Sequence, residues 1–221
     1  MDYNWSPLWL SLQLAVITTL VLMLIGIPIA YIMARSKSKF KFLWEAIISL
    51  PLVLPPTVLG FYILMLFSPN NGIGLFLKNT IGFQLAFSFS GLVIASVLYS
   101  LPFMVQPIQA GLQSLPPSLS EAAYTMGKNK WEVLRRVLLP NIKPSILTGI
   151  VLSFAHTIGE FGIVLMIGGK IPDETLVASI AVYDKVESLD YGQAHFYSLV
   201  LLFFSFLILS ITYYINRRLR E

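Results

Sequence analysis

Apolar residues gather in five long runs, about Leu8–Ala34, Leu43–Phe67, Leu85–Gln109, Ile146–Ile167 and Phe196–Ile215. Each approaches or exceeds the roughly 20 helical residues that cross a hydrocarbon core of about 30 Å. A chain in lipid must satisfy its own backbone hydrogen bonds, so these runs are helices and not open strands. The pattern predicts an all-α integral membrane protein of about five transmembrane helices, a single domain over residues 1–221. Six spans is the alternative topology. Ser68–Gln84 is too short and polar to cross, and reads as an outer loop with room for a small interfacial helix. The loop Gly168–His195 contains Thr175–Tyr183, nine weakly apolar residues that predict a helix dipping against the bundle. The first run is too long for a cleavable signal and has no basic leader, so it is expected to remain as a span.

Between the third and fourth runs, over residues 113–143, the pattern changes to a polar hairpin of two short helices. Ser118 with Glu121 has the spacing of a capping box, which starts the first helix just after Pro116-Pro117. Gly127 stands where a left-handed residue would end it. Asn129 with Glu132 forms a second cap pair. Trp131, Val133, Leu134, Val137 and Leu138 then alternate with Lys130, Glu132, Arg135 and Arg136 as an amphipathic helix, which Pro140 is expected to close. Ala122 and Ala123 remove bulk from one patch, open to close approach by another protein.

Composition sharpens the membrane reading: 56% hydrophobic, 12% charged, mean hydropathy +0.76. There is no cysteine, so disulfides and thiolate metal sites are excluded. A net charge of +4 would suit nucleic acid, but the basic residues lie in short loops between apolar runs, which argues against it. Arg35, Lys37, Lys39 and Lys41 follow the first run; Lys128, Lys130, Arg135, Arg136 and Lys143 fill the hairpin; Arg217, Arg218 and Arg220 end the chain. The intervening loops hold Lys78, Lys170 and Lys185. The positive-inside rule places the hairpin and C-terminus in the cytoplasm and the N-terminus outside. Trp5, Tyr197, Tyr213 and Tyr214 near span ends fit interfacial anchoring.

Two stretches inside the spans carry candidate chemistry. Pro51, Pro55 and Pro56, with Thr57, must break or kink the second span and free backbone groups. Irregular backbone at membrane depth is tolerated where it lines a cavity or is covered by protein. In the fourth span Glu160 is the one acid placed deep in the membrane, four residues from His156, with Gly159 and Gly162 thinning the helix beside it. The expected role is structural, with Glu160 bonded to His156 or to a neighbouring backbone. Glu45 sits at a span end, within reach of water. Gly168-Gly-Lys170 lacks the earlier glycine and the following Ser or Thr of a phosphate loop, so the chain is expected to hydrolyse no ATP by itself.

Glu121-Ala-Ala, then three residues, Gly127, nine residues and Val137-Leu-Leu-Pro140 resembles the EAA loop of ABC importer permeases, with Val137 in place of the family's usual isoleucine. Leu50-Pro-Leu-Val-Leu-Pro-Pro-Thr-Val-Leu-Gly60, Gly159-Glu-Phe-Gly162, Ile167-Gly-Gly-Lys-Ile-Pro172 with Thr175, and Ser179–Asp184 resemble the molybdate permeases of that family. Sulfate and thiosulfate permeases share the Gly-Glu-Phe-Gly run and are the alternative. The resemblance implies the type I importer fold in a prokaryotic inner membrane. It implies a homodimer, two ABC ATPase subunits holding ATP and Mg, and an extracytoplasmic molybdate-binding protein, with no cofactor on this chain. The substrate would be a tetrahedral oxyanion, molybdate, with tungstate of nearly the same size and charge. Glu121, Ala122, Ala123, Gly127, Val137, Leu139 and Pro140 would couple to the ATPase; Pro55, Pro56, Thr57 and Gly159 would lie along the translocation pathway. An ion-gradient-driven carrier with His156 and Glu160 as a proton relay is the reading of another class, and the EAA stretch speaks against it.

Overall fold

The computed structural model describes residues 4–70, 72–82 and 84–220. Helices are α1 (Ser6–Arg35), α2 (Lys41–Val53), α3 (Pro56–Phe67), α4 (Gly72–Ile81), α5 (Phe89–Ser114), α6 (Pro117–Thr125), α7 (Lys130–Val133), α8 (Leu139–Asn141), α9 (Lys143–Gly159), α10 (Gly162–Gly168), α11 (Ala178–Glu187) and α12 (Tyr191–Arg220). A π-turn over Leu134–Leu138 joins α7 to α8. Among the described residues α1, α5 and α12 are singly long and apolar enough to cross a membrane; the bent pairs α2 with α3, and Lys130–Asn141 with α9, raise the number to five if each is counted as one span.

The centre is a three-helix core of α1, α5 and α9. Small residues let these helices approach. Met104 of α5 is fully buried between two glycines: a Cβ on Gly26 of α1 would come within 2.8 Å of its Cγ, and one on Gly149 of α9 within 3.1 Å of its carbonyl oxygen. Around this core α12 packs on α9 and α11, and α10 bridges α5 and α3. Leu199, Leu202, Phe203 and Phe206 of α12 are exposed, as a lipid-facing surface requires.

The second span is not one kinked helix. α2 and α3 differ in direction by 109°. Proline bars the residue before it from helical ψ, and two such bars fall in succession: Leu54 before Pro55 has ψ 137° and Pro55 before Pro56 has ψ 135°. The fourth span also departs from the expected Ile146–Ile167. α9 ends at Gly159, Glu160 takes an extended ψ of 130°, and the chain restarts as α10. At 17 residues α9 is about 25 Å long. These two breaks touch, since a Cβ on Gly162 would lie 2.7 Å from Pro56 Cβ. Gly162 therefore thins the contact as expected. Gly159 does not, having nothing within 4 Å of a Cβ.

The two connecting segments are helical. α4 occupies the loop after the second span. α11 begins three residues later than Thr175, because Thr175 is folded into a turn: its hydroxyl donates to the Gly168 carbonyl at 2.6 Å and accepts from the Ile171 amide at 3.1 Å. Ser11 of α1 accepts from the Ala178 amide at 2.7 Å and so caps α11. Tyr197 is buried, its hydroxyl donating to the Asn4 carbonyl at 2.8 Å. It braces α12 against the start of the chain instead of anchoring at an interface, whereas Trp5, Tyr213 and Tyr214 are exposed.

Candidate coupling and translocation sites

The hairpin opens differently from its sequence pattern. Pro117 takes the first helical position of α6 and Pro116 precedes it as N-cap, so Ser118 lies inside the helix and makes no cap with Glu121. Two consecutive prolines already supply the fixed φ and the missing donor that a helix start tolerates. The corner is as expected. Gly127 has φ +76°, its amide donates to Tyr124 O (2.9 Å), and the Lys128 amide donates to Ala123 O (3.2 Å). This pair of bonds is a Schellman closure. The second helix starts on the predicted box: the Glu132 amide donates to Asn129 Oδ1 (3.0 Å) and the Asn129 amide to Glu132 Oε2 (3.3 Å). That amide, with Lys128 and Arg136 nearby, holds the Glu132 carboxyl below its ordinary range. Pro140 does not close the helix. The Leu139 amide reaches back to Leu134 O in the π-turn, and the helix ends at Asn141. There the chain bends by 82° into α9.

Burial divides the hairpin into two faces. Ala123, only 6% exposed, joins Val133, Leu134, Leu138 and Ile142 in one cluster with Ile108 and Leu112 of α5. Ala122, Glu121 and Tyr124 point outward with Met126 (77% exposed) and Trp131 (70%). The two alanines do not share a patch, because neighbours on a helix are about 100° apart. Trp131 likewise leaves the apolar stripe expected of it. Val137 and Leu139 are half-buried, and Pro140 is exposed. The outward edge of Glu121, Ala122, Tyr124, Met126 and Trp131 is what another protein could meet.

In the membrane, Pro55 and Thr57 are exposed and Pro56 is half-buried beside Gly162. Gly159 is exposed. His156 does not bond Glu160; Glu160 has left the helix that would have aligned them. His156 Nδ1 instead meets Ser100 Oγ at 2.9 Å, and its ring stacks on Phe103 at 4.1 Å between centroids. Thr157 donates to the Ser153 carbonyl at 2.9 Å and lies 3.2 Å from Ser100. Both Glu160 carboxyl oxygens and the Ser96 hydroxyl are buried and face one another, with neither in full hydrogen-bond geometry to any described residue. The Glu160 carbonyl accepts from Ser179 of α11 at 2.6 Å, which holds the break open.

Sequence reasoning passed over the cluster above that break. Lys170 pairs with Asp184 (2.9 Å) and Glu187 (2.7 Å), and Tyr183 donates to Glu187 at 2.6 Å. Glu187 and then Asp184 hold the Lys170 amine above its ordinary range, and Lys170 holds Glu187 below its own. The spacing of Asp184 and Glu187, three apart on one helix face, was the available signal. Among the described residues no group of acidic, histidine or cysteine side chains could hold a metal ion.

Residues 26–221 match the family model described as the binding-protein-dependent transport system inner membrane component. A molybdenum transport system permease protein of Azotobacter vinelandii is 43% identical over 96% of this chain and 94% of its own length. One of Escherichia coli K12 is 34% identical over 85% and 82%. A probable sulfate transport system permease protein of Chlorella vulgaris is 35% identical over 93% and 77%. Among solved structures, a chain of a bacterial ABC transporter that imports the acidic polysaccharide alginate superposes with TM-score 0.74 at 18% identity, covering 96% of this chain and 79% of that one. An inward-facing MetNI methionine ABC transporter gives 0.72 at 17%, covering 96% and 94%. At such identities the structural likeness speaks for the fold.

Proposed function

The chain belongs to the binding-protein-dependent transport system inner-membrane components, the permeases of ABC importers, and on that premise we propose that it carries molybdate across the cytoplasmic membrane. It has the type I importer permease fold and is a multi-pass membrane protein. The observation that carries the substrate is the 43% identity to a molybdenum permease over nearly the whole of both chains, against 35% for a sulfate permease. Tungstate, with nearly the same size and charge, would pass by the same route.

In this reading two copies form the membrane unit, and two ATPase subunits bind below it, supplying the ATP site and Mg. An extracytoplasmic binding protein delivers the oxyanion. The hairpin lies in the cytoplasm with the C-terminus, and the N-terminus is outside, which the alternation of lysine- and arginine-rich loops supports. Closure of the ATPase dimer would pull on the outward edge around Ala122 while the inner face, built on Ala123, keeps the hairpin fixed to α5. The bundles would then rock between outward- and inward-facing states. The oxyanion passes beside the broken backbone at Pro55, Pro56, Thr57 and Gly159, held weakly enough to leave. The test is uptake and ATPase stimulation by the reconstituted complex with its binding protein, for molybdate, tungstate and sulfate. Stimulation by molybdate and tungstate alone is expected; stimulation by sulfate alone would move the chain to the sulfate permeases.

A further inference from the structure

One face of α5 carries exposed carboxamides within a span. Phe103, Gln106, Ala110 and Gln113 share it by helical spacing, and Gln106, Ala110 and Gln113 are exposed. Opposite stand Glu45 and Ser49 of α2, and between the two helices lies a cleft of about 220 Å³. That is room for several waters at about 30 Å³ each. Gln109 donates to Glu45 Oε1 at 2.6 Å and Gln106 donates to Ser49 Oγ at 3.0 Å. α2 has no fully buried residue: the half-buried Ile48 packs against the core, and these polar bonds add to that contact.

Carboxamides on an unpacked face cannot be left against hydrocarbon without cost. The lipid-facing surface of α12, all Leu and Phe at Leu199, Leu202, Phe203 and Phe206, shows what this chain presents to lipid. The α5 face therefore meets water or protein. Gln113 stands at the end of α5 that enters the coupling hairpin. Gln106 lies about 10 Å further in, and Phe103 about 15 Å in, near mid-membrane. At that depth Phe103 stacks on His156, whose other neighbours are Tyr99 and Ser100. The polar track ends on this stack.

We propose that the α5 face from Gln113 to Gln106, with Glu45 and Ser49 of α2, walls the cytoplasmic half of the oxyanion's path, and that the Phe103–His156 stack closes it at mid-membrane. The assignment rests on the oxyanion-permease reading above and extends it from the two breaks to the cytoplasmic half of α5 and the α2 helix facing it. The chemistry suits a transient dianion. The one carboxylate of the cleft, Glu45, is already engaged by Gln109 and by Lys41 at 3.6 Å. The Gln113 amide has no partner among the described residues, and Gln106 uses one N–H of two. Neutral donors solvate an oxyanion without an ion pair, so they let it go.

The chain has no cysteine, which makes single-cysteine labelling direct. Ala110→Cys, a small change at an exposed position, is made with Gln106→Cys and, on the lipid face, Phe206→Cys. The assembled permease–ATPase complex in inside-out membranes is treated with a sulfonate-bearing, membrane-impermeant thiol reagent, then purified, reconstituted and assayed for molybdate uptake. The expected result is labelling at residues 106 and 110 at least tenfold faster than at 206, with uptake lost only when 106 or 110 is labelled. No labelling at 110, labelling that leaves uptake intact, or a disulfide between the 110 positions of two copies in place of labelling each overturns the assignment, the last by making this face a seam between copies. Failure of the native complex to take up any oxyanion would instead overturn the functional reading beneath it.

Discussion

Ala122 and Ala123 are adjacent in sequence and opposite in consequence. An aspartate at 123 would place an ionised carboxylate among Val133, Leu134 and Leu138, where the native methyl is 6% exposed. An unpaired charge so placed costs roughly 3–5 kcal/mol, and its extra volume about 1 kcal/mol or more. The hairpin has little to set against this. Its Schellman corner, one capping box at about 1 kcal/mol and a handful of buried aliphatics hold it. At about 1.4 kcal/mol per tenfold, Ala123→Asp should raise the opening equilibrium of residues 117–141 by at least a hundredfold, read as faster amide exchange in the purified permease. Ala122→Asp faces water and changes only helix propensity, at most about 0.7 kcal/mol. Its exchange should stay within a few-fold of the native rate. Both variants should still insert, since neither residue belongs to a span, and both should lose ATPase association, one by melting the dock and the other by blocking it. Native protection in Ala123→Asp would refute the packing argument. Full ATPase stimulation in Ala122→Asp would refute the outward edge as the dock.

Gly127→Val forces a β-branched residue to φ +76° where nothing lies within 4 Å to clash, so the cost is backbone alone, about 1–2 kcal/mol, and Gly127→Asn should recover much of it in the same exchange assay. For the Lys170 cluster, the raised lysine contributes fully below its ordinary pKa of about 10.5 and is lost as pH rises through its raised value. The lowered Glu187 contributes fully above about 4.5 and is lost as pH falls through its lowered value. Protection of α11 amides, with the intrinsic pH dependence of exchange divided out, should thus be greatest and flat between about pH 5 and 10 and fall on both sides; Lys170→Met should lower that plateau and shrink the falls at its edges. Glu160→Gln keeps the size and an acceptor toward Ser96, so folding and most uptake should persist, and uptake should survive collapse of the proton gradient while ATP is maintained. Uptake that dies with the gradient would point to a carrier instead.

The spans were legible because lipid demands long apolar runs and nothing else in the chain mimics them. Their breaks were legible in unequal degree. Pro55 and Pro56 mark the first, since each bars its predecessor from the helix, but a 109° turn depends on where α3 finds a partner, and that partner is Gly162. The second break carries no proline. Gly-Glu-Phe-Gly is compatible with a helix until Ser179, nineteen residues on, takes the Glu160 carbonyl. In the hairpin, the Gly127 corner and the Asn129 box involve groups a few residues apart and could be read directly. The side each alanine faces could not, because it depends on α5. Ser11, which caps α11 from 167 residues away, leaves no local trace.

How force from the hairpin could reach the breaks follows from which contacts are buried. Ala123, Val133, Leu134 and Leu138 share a cluster with Ile108 and Leu112, so the hairpin and the adjoining end of α5 form one packed body. α9 leaves the hairpin at Lys143 and packs along α5 and α1, with Met104 seated between Gly26 and Gly149. Close-packed contacts of that kind do not slide without opening voids. Displacement of the hairpin must therefore be taken up elsewhere. α2 is the natural place, since it has no fully buried residue and meets the core through the half-buried Ile48 and exchangeable hydrogen bonds at Glu45 and Ser49. Water or a passing anion can replace those bonds at little cost, whereas neither can replace the packing around Met104. On the coupling reading proposed above, motion at the hairpin would therefore open the polar cleft between α2 and α5.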